Sequence, residues 1–128
     1  ELILESYVVT TFDTDFVLKH NKFGRAHQRL IMLIDNNPGI TVSEVLNKLK
    51  ITKQSLSRTL QDLLSKKIVS QKKGEKDGRE KLLFLDDKGN ELSKQIFDTQ
   101  KKRILYAFKN STPEDVLSFK NVLIKIIK

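Results

Sequence analysis

Apolar residues recur along this 128-residue chain at helical spacing, switch once to strand-like spacing near residue 68, and then return to the helical period. Leu4, Tyr7, Val8, Thr11 and Phe12 line one face of a helix predicted over residues 1–20, with Asp13 and Asp15 off that face. Asn21-Lys22-Phe23-Gly24 reads as a break. Ala26, Leu30, Leu33 and Ile34 then form the stripe of a second helix over 25–36, and Asn36-Asn37-Pro38-Gly39 is a turn signal. Thr41 with Glu44 three residues on fits a capping box, opening a short third helix whose inward face is Val42, Val45, Leu46 and Leu49. Lys50-Ile51 ends it. Thr52 can cap a fourth helix over 53–66, with Leu56, Leu60, Leu63 and Leu64 turned inward.

Two short helices joined by a tight turn are the layout of a helix-turn-helix. Ile68 to Lys72 and Glu80 to Leu85 suit two strands around a polar tip, Lys73 to Gly78, that contains two glycines. This hairpin is the wing of a winged helix-turn-helix. Asp86 or Asp87 can cap a long fifth helix running to about Lys109. Thr112-Pro113-Glu114-Asp115 opens a sixth helix with a cap, a Pro at its first position and acids in its first turn. That last helix is apolar on more than one face (Val116, Leu117, Phe119, Val122, Leu123, Ile126, Ile127), which predicts burial against more than its own chain. The expected fold is mainly α with a small β-hairpin wing. One domain spans residues 1–128: a helix-turn-helix and wing lobe over about 24–86, flanked by helical segments over about 1–20 and 87–128.

Charge sharpens this picture. The formal net charge is +8, and residues 50–81 alone carry +6 of it, through ten Lys or Arg against four acids. A basic footprint confined to the fourth helix and the hairpin suits a polyanion. With its leucines inward, the fourth helix turns Lys53, Gln54, Ser57, Arg58 and Gln61 outward. Gln can bond adenine bidentately, and Arg or Lys can do so with guanine, so this face carries base-reading chemistry. Thr52, Ser55 and the helix N-terminus can bond phosphate. An ordinary solvated helix face has the same composition, and the hairpin charges have the same bland alternative.

Other functions lack support in the residues. There is no Cys, hence no thiolate metal site or disulfide. No glycine-rich phosphate loop, nucleophile elbow or metal motif is present, so neither catalysis, a metal nor a cofactor is expected. His20 and His27 stand outside any metal-binding spacing and read as structural or surface residues. No apolar run is long enough to span a membrane, and the first residues do not read as a signal peptide. The chain starts at Glu1, and a trimmed start is expected. The expected location is the cytoplasm.

Pro38-Gly39-Ile40-Thr41-Val42, Ile51-Thr52-Lys53-Gln54-Ser55-Leu56-Ser57-Arg58, Asp77-Gly78-Arg79 and Leu85-Asp86-Asp87-Lys88-Gly89, in this order of elements, resemble the MarR family of bacterial transcription regulators. The resemblance spans nearly the whole chain, with Asp86 where the family usually has a Thr cap. It implies a homodimeric, sequence-specific regulator of double-stranded DNA, more often a repressor, on a near-palindromic operator. It makes Arg79 a minor-groove probe and Asp77 its positioner, within a wing surface that includes Lys72, Lys73 and Lys76. It places Leu4, Tyr7, Val8, Phe12, Ile104, Leu105, Phe108, Val116, Leu123 and Ile127 in a dimer interface. The family's effector cleft lies between the dimerisation helices and the DNA-binding lobe, and Arg25 and Arg29 could bind a small anionic effector there, or equally pair with Asp13, Asp15 or a DNA phosphate. Two rival readings stay open on the residues: a winged helix serving as a protein-interaction module, and a non-specific architectural DNA binder.

Overall fold

Three threonines start three of the helices. In a computed structural model describing residues 1–128, Thr41 Oγ1 accepts the Glu44 N–H at 3.2 Å while the Glu44 carboxylate accepts the Thr41 N–H at 2.8 Å. Thr52 caps the Ser55 N–H and Thr112 the Asp115 N–H, each at 3.1 Å. Such a cap is worth about 1 kcal/mol. The elements are α1 (Leu2–Phe12), α2 (Asp15–His20), α3 (Arg25–Asn36), β1 (Ile40–Thr41), α4 (Val42–Leu49), α5 (Lys53–Ser65), β2 (Val69–Lys73), β3 (Lys81–Leu85), α6 (Asp87–Lys109) and α7 (Pro113–Ile127). Asp86 holds the N-cap position of α6, but its side chain makes no capping bond. Its backbone is used instead: the N–H donates to Ile68 O at 2.9 Å and the carbonyl accepts from Asn90 N–H at 2.8 Å.

Helix ends are set by hydrogen bonding as much as by composition. After α5, the Lys67 N–H bonds Leu64 O and the Ile68 N–H bonds Leu63 O, with Lys67 at φ 59°. After α2, Lys22 and Phe23 repeat the pattern on Lys19 and Leu18, with Lys22 at φ 59°. Both are Schellman closures, and in each the following apolar residue, Ile68 or Phe23, is buried.

The helix expected over 1–20 is two helices. The break falls at Asp13-Thr14, where Thr14 is fully buried and its hydroxyl lies 2.9 Å from the Gln28 side-chain amide. Asp13 is held by Arg103 of α6, with Nη2 donating to Oδ1 at 3.0 Å. The bend sends Leu18 and Phe23 into the core. The wing is also more than a hairpin. The sheet has three antiparallel strands in the order β1-β3-β2, with Ile40 opposite Leu83 and Thr41 opposite Leu82.

Every fully packed apolar side chain lies between Leu18 and Ile96, and α3 runs through their centre, touching α5, α6 and β3. Ile31, Ile34, Val45, Leu63, Leu83 and Ile96 are wholly buried. Each such side chain contributes about 1.5–3 kcal/mol over leaving it in water. Large exposed apolar residues show the opposite distribution. All fall within residues 2–16 and 97–127, and α7 buries no residue at all. No helix is long and apolar enough to cross a membrane.

Candidate nucleic-acid interface

The inward leucines orient α5. Leu56, Leu60 and Leu63 are buried, so the 100° step per residue puts Gln54, Arg58, Gln61 and Ser65 on the outermost crest. Lys53 and Ser57 lie on the flank toward the wing. Ser55 lies on the other flank, beside Ala26, Arg29 and Leu49, and its N–H is taken by Thr52. Thr52, Lys53, Gln54, Ser55, Ser57 and Arg58 are all exposed.

A groove of about 670 Å³ separates α5 from the wing. Lys53, Ser57 and Gln61 form one wall, Gln71, Asp77, Arg79, Glu80 and Lys81 the other, and Thr41, Val42 and Ser43 at the start of α4 close one end. The structure therefore brings Arg79 and Asp77 beside the polar flank of α5, though they are about twenty residues away in sequence. The Asp77 carboxylate accepts the backbone N–H of Arg79 at 3.0 Å. It positions Arg79 through the main chain and leaves the guanidinium without an ion-pair partner. The tip folds back tightly: Gly74 N–H bonds Glu80 O at 2.9 Å, and a Cβ on Gly74 would sit 2.7 Å from Asp77 O.

The wing lysines do not act as one set. Neighbours on a strand face opposite sides of the sheet. Lys72 lies over the Phe84 ring at 4.9 Å, away from the groove, whereas Lys73 shares a face with Gln71 and Lys81. Lys76 is exposed at the tip. Lys81 was not among the sequence candidates, because a lysine opening an apolar strand reads only as a strand end. Its position in the groove follows from its register opposite Lys73.

A second unforeseen contact steadies α5 from behind. His27 Nδ1 accepts the Gly24 N–H at 3.0 Å, so Nε2 carries the ring proton and donates to Asp62 at 2.7 Å. Burial pushes the Asp62 carboxyl up, but hydrogen bonds from His27 and Lys66 outweigh this and hold it below the usual carboxylate range. Phe23 stacks on His27, and the Lys66 ammonium lies over Phe23. The partners are 35 residues apart, beyond any spacing signal.

The remaining candidates lie away from the groove. Arg25 pairs with Asp15 at 3.2 Å and donates to Thr11 O at 2.9 Å. Arg29 donates to the Tyr7 hydroxyl and lies over its ring. Leu4, Tyr7, Val8 and Phe12 on α1, Ile104, Leu105 and Phe108 on α6, and Ile127 on α7 are exposed, while Val116 and Leu123 are half-buried.

A sequence profile of the MarR family matches residues 23–80. The chain is 36% identical over 123 residues to the HTH-type transcriptional regulator PetP of Rhodobacter capsulatus, covering 96% of this chain and 74% of that protein. A mutant MepR from a multidrug-resistant S. aureus clinical isolate superimposes with TM-score 0.87 at 17% identity, covering 98% of this chain and 92% of that one. A mutant E. coli MarR complexed with operator DNA gives TM-score 0.73 at 22% identity, covering 99% and 91%. At those identities the two structures speak to the fold alone.

Proposed function

Because this chain belongs to the MarR family of transcription regulators, we infer that it binds duplex DNA as a homodimer, with α5 in the major groove and the wing in the adjacent minor groove. One observation carries the reading: Arg79, freed of ion pairs and held by Asp77 at its backbone, stands across a groove from the polar flank of α5. Gln54 and Arg58, on the crest, are assigned to base edges. Arg79 is assigned to the minor groove, where the potential is most negative over narrow A·T tracts. Thr52, Ser55, Lys72, Lys73 and Lys76 are assigned to the phosphate backbone.

The dimer follows from the apolar surface that the single chain leaves open on α1, α6 and α7. Its two-fold axis sets the recognition helices about 34–36 Å apart on a near-palindromic operator. Repression by exclusion of polymerase is the proposed outcome, and the cytoplasm the proposed location. A small anionic effector at Arg25 and Arg29 would compete with Asp15 and Tyr7, loosening the N-terminal arm from the lobe.

The test is selection of bound duplexes from a random pool, followed by titration of wild type and Gln54→Ala against the selected duplex and its single-base variants. The expected result is a two-fold symmetric site, affinity falling steeply with salt, and about 1–3 kcal/mol less discrimination at one base pair per half-site in Gln54→Ala. Indifference to duplex at low salt would favour a protein-interaction module. Equal binding of all sequences would favour an architectural binder.

A further inference from the structure

The register of the wing places Lys73 directly opposite Lys81 on neighbouring antiparallel strands. Opposed residues share a face, with Cβ atoms about 4.5–5.5 Å apart. That face is the one on which Val69 and Leu83 pack into the core, so toward the tip it becomes the groove wall. Lys81 lines the groove, and Lys73 extends from the same face beside it. Neither is in an ion pair. Like charges directly opposed weaken a strand pair, so the arrangement costs the free protein stability. The groove that Lys81 lines holds Lys53 and Arg79 as further cations, against the carboxylates of Asp77 and Glu80, and Asp77 is already occupied by the Arg79 N–H.

The geometry of a duplex says what passes through this groove. Adjacent major and minor grooves are separated by one sugar-phosphate strand. If α5 occupies one and the wing the other, that strand must run between them. We propose that Lys73 and Lys81 close on a single phosphate of this strand as a two-lysine clamp, with Lys53 on the opposite wall contacting the same backbone instead of a base edge. The proposal rests on the duplex-binding reading above and assigns Lys81 a role in it.

Salt dependence tests the sharing. Each neutralised phosphate contributes about 0.9 to the slope of log affinity against log salt. Full-length wild type, Lys73→Gln, Lys81→Gln and the double variant are titrated by fluorescence anisotropy on a selected duplex and on an unrelated one. Lys94→Gln, exposed on α6, is the control, and thermal melting of every variant monitors folding. The expected result is a nearly unchanged slope in either single variant, because one ammonium still neutralises the phosphate, and a drop of about 0.9 in the double. Both duplexes weaken by the same factor. In the absence of DNA, Lys81→Gln melts above wild type at low salt, and the gap closes at high salt.

A slope loss of about 0.9 in each single variant would mean two separate phosphates and would overturn the shared clamp. An unchanged slope in the double variant would remove both lysines from the DNA. A changed ratio between the duplexes would make them base readers. A wild-type affinity independent of salt would instead defeat the duplex-binding reading itself, whatever the variants do.

Discussion

Gly89 decides how α6 leaves the sheet, and Gly89→Ala tests this. A Cβ at this position would sit 2.2 Å from the carbonyl oxygen of Ile68 and 3.2 Å from Leu85 Cβ. Helix propensity argues for a gain of at most about 1 kcal/mol from Ala. Overpacking argues for a loss of about 1–3 kcal/mol, toward the upper end here because the obstacle is backbone. The same oxygen accepts the Asp86 N–H at 2.9 Å, and moving it away forfeits about 0.5–1.5 kcal/mol more. The clash wins, and the net loss is about 2.5–3.5 kcal/mol. At roughly 4 °C per kcal/mol for a chain of this size, melting falls by about 10–14 °C. The assay is helical circular dichroism against temperature and urea, beside Gly78→Ala, whose Cβ meets nothing within 4 Å. Gly89→Ala melting at or above wild type would show that close approach does not explain this glycine. Since α6 carries the proposed dimer surface, DNA affinity should fall in the same variant, through altered spacing of the two recognition helices.

Three further outcomes are expected. Lys67→Gly should raise stability by about 0.5–1 kcal/mol, because relief at φ 59° exceeds the added unfolded-chain entropy; a lower urea midpoint would contradict this. The Arg103 hydrogen bonds hold the Asp13 carboxyl below its ordinary 3.8, so their contribution is complete above that value and lost as pH falls through the depressed native one. Asp13→Asn should therefore melt below wild type near neutral pH, with the gap closing on acidification; a gap that persists or widens in acid would refute the assignment. Ile104→Glu should sediment as a monomer and lose helicity while keeping a cooperative melt, since the core from Leu18 to Ile96 does not include it; an intact dimer would exclude Ile104 from the interface.

Much of the molecule was readable from short-range pattern. In α3 only part of the stripe was legible: Leu30 and Ile34 are buried as expected, but Ala26 is exposed and Gln28 and Ile31 take the inner face. The stripes of α4 and α5, the caps at Thr41, Thr52 and Thr112, and the change of period into the wing each depend on residues within about four positions of one another. These signals specified the helix-turn-helix, the outward set Lys53, Gln54, Ser57, Arg58 and Gln61, and the apolar excess of the terminal helices. What they could not specify depends on partners far along the chain. Nothing near Asp13-Thr14 announces a break, because its causes are Gln28 and Arg103. Ile40–Thr41 is too short to show a period and becomes a strand only by pairing with β3. Asp86 has the right side chain for a cap, yet Ile68 claims its backbone and the carboxylate goes unused. His27 against Asp62, and Lys81 across from Lys73, likewise exist only once the chain is folded. Local sequence sets which conformation each segment prefers, because those energies are local. Only the tertiary structure, which closes long loops to bring distant groups together, decides which preferences are kept and which side chains share the groove.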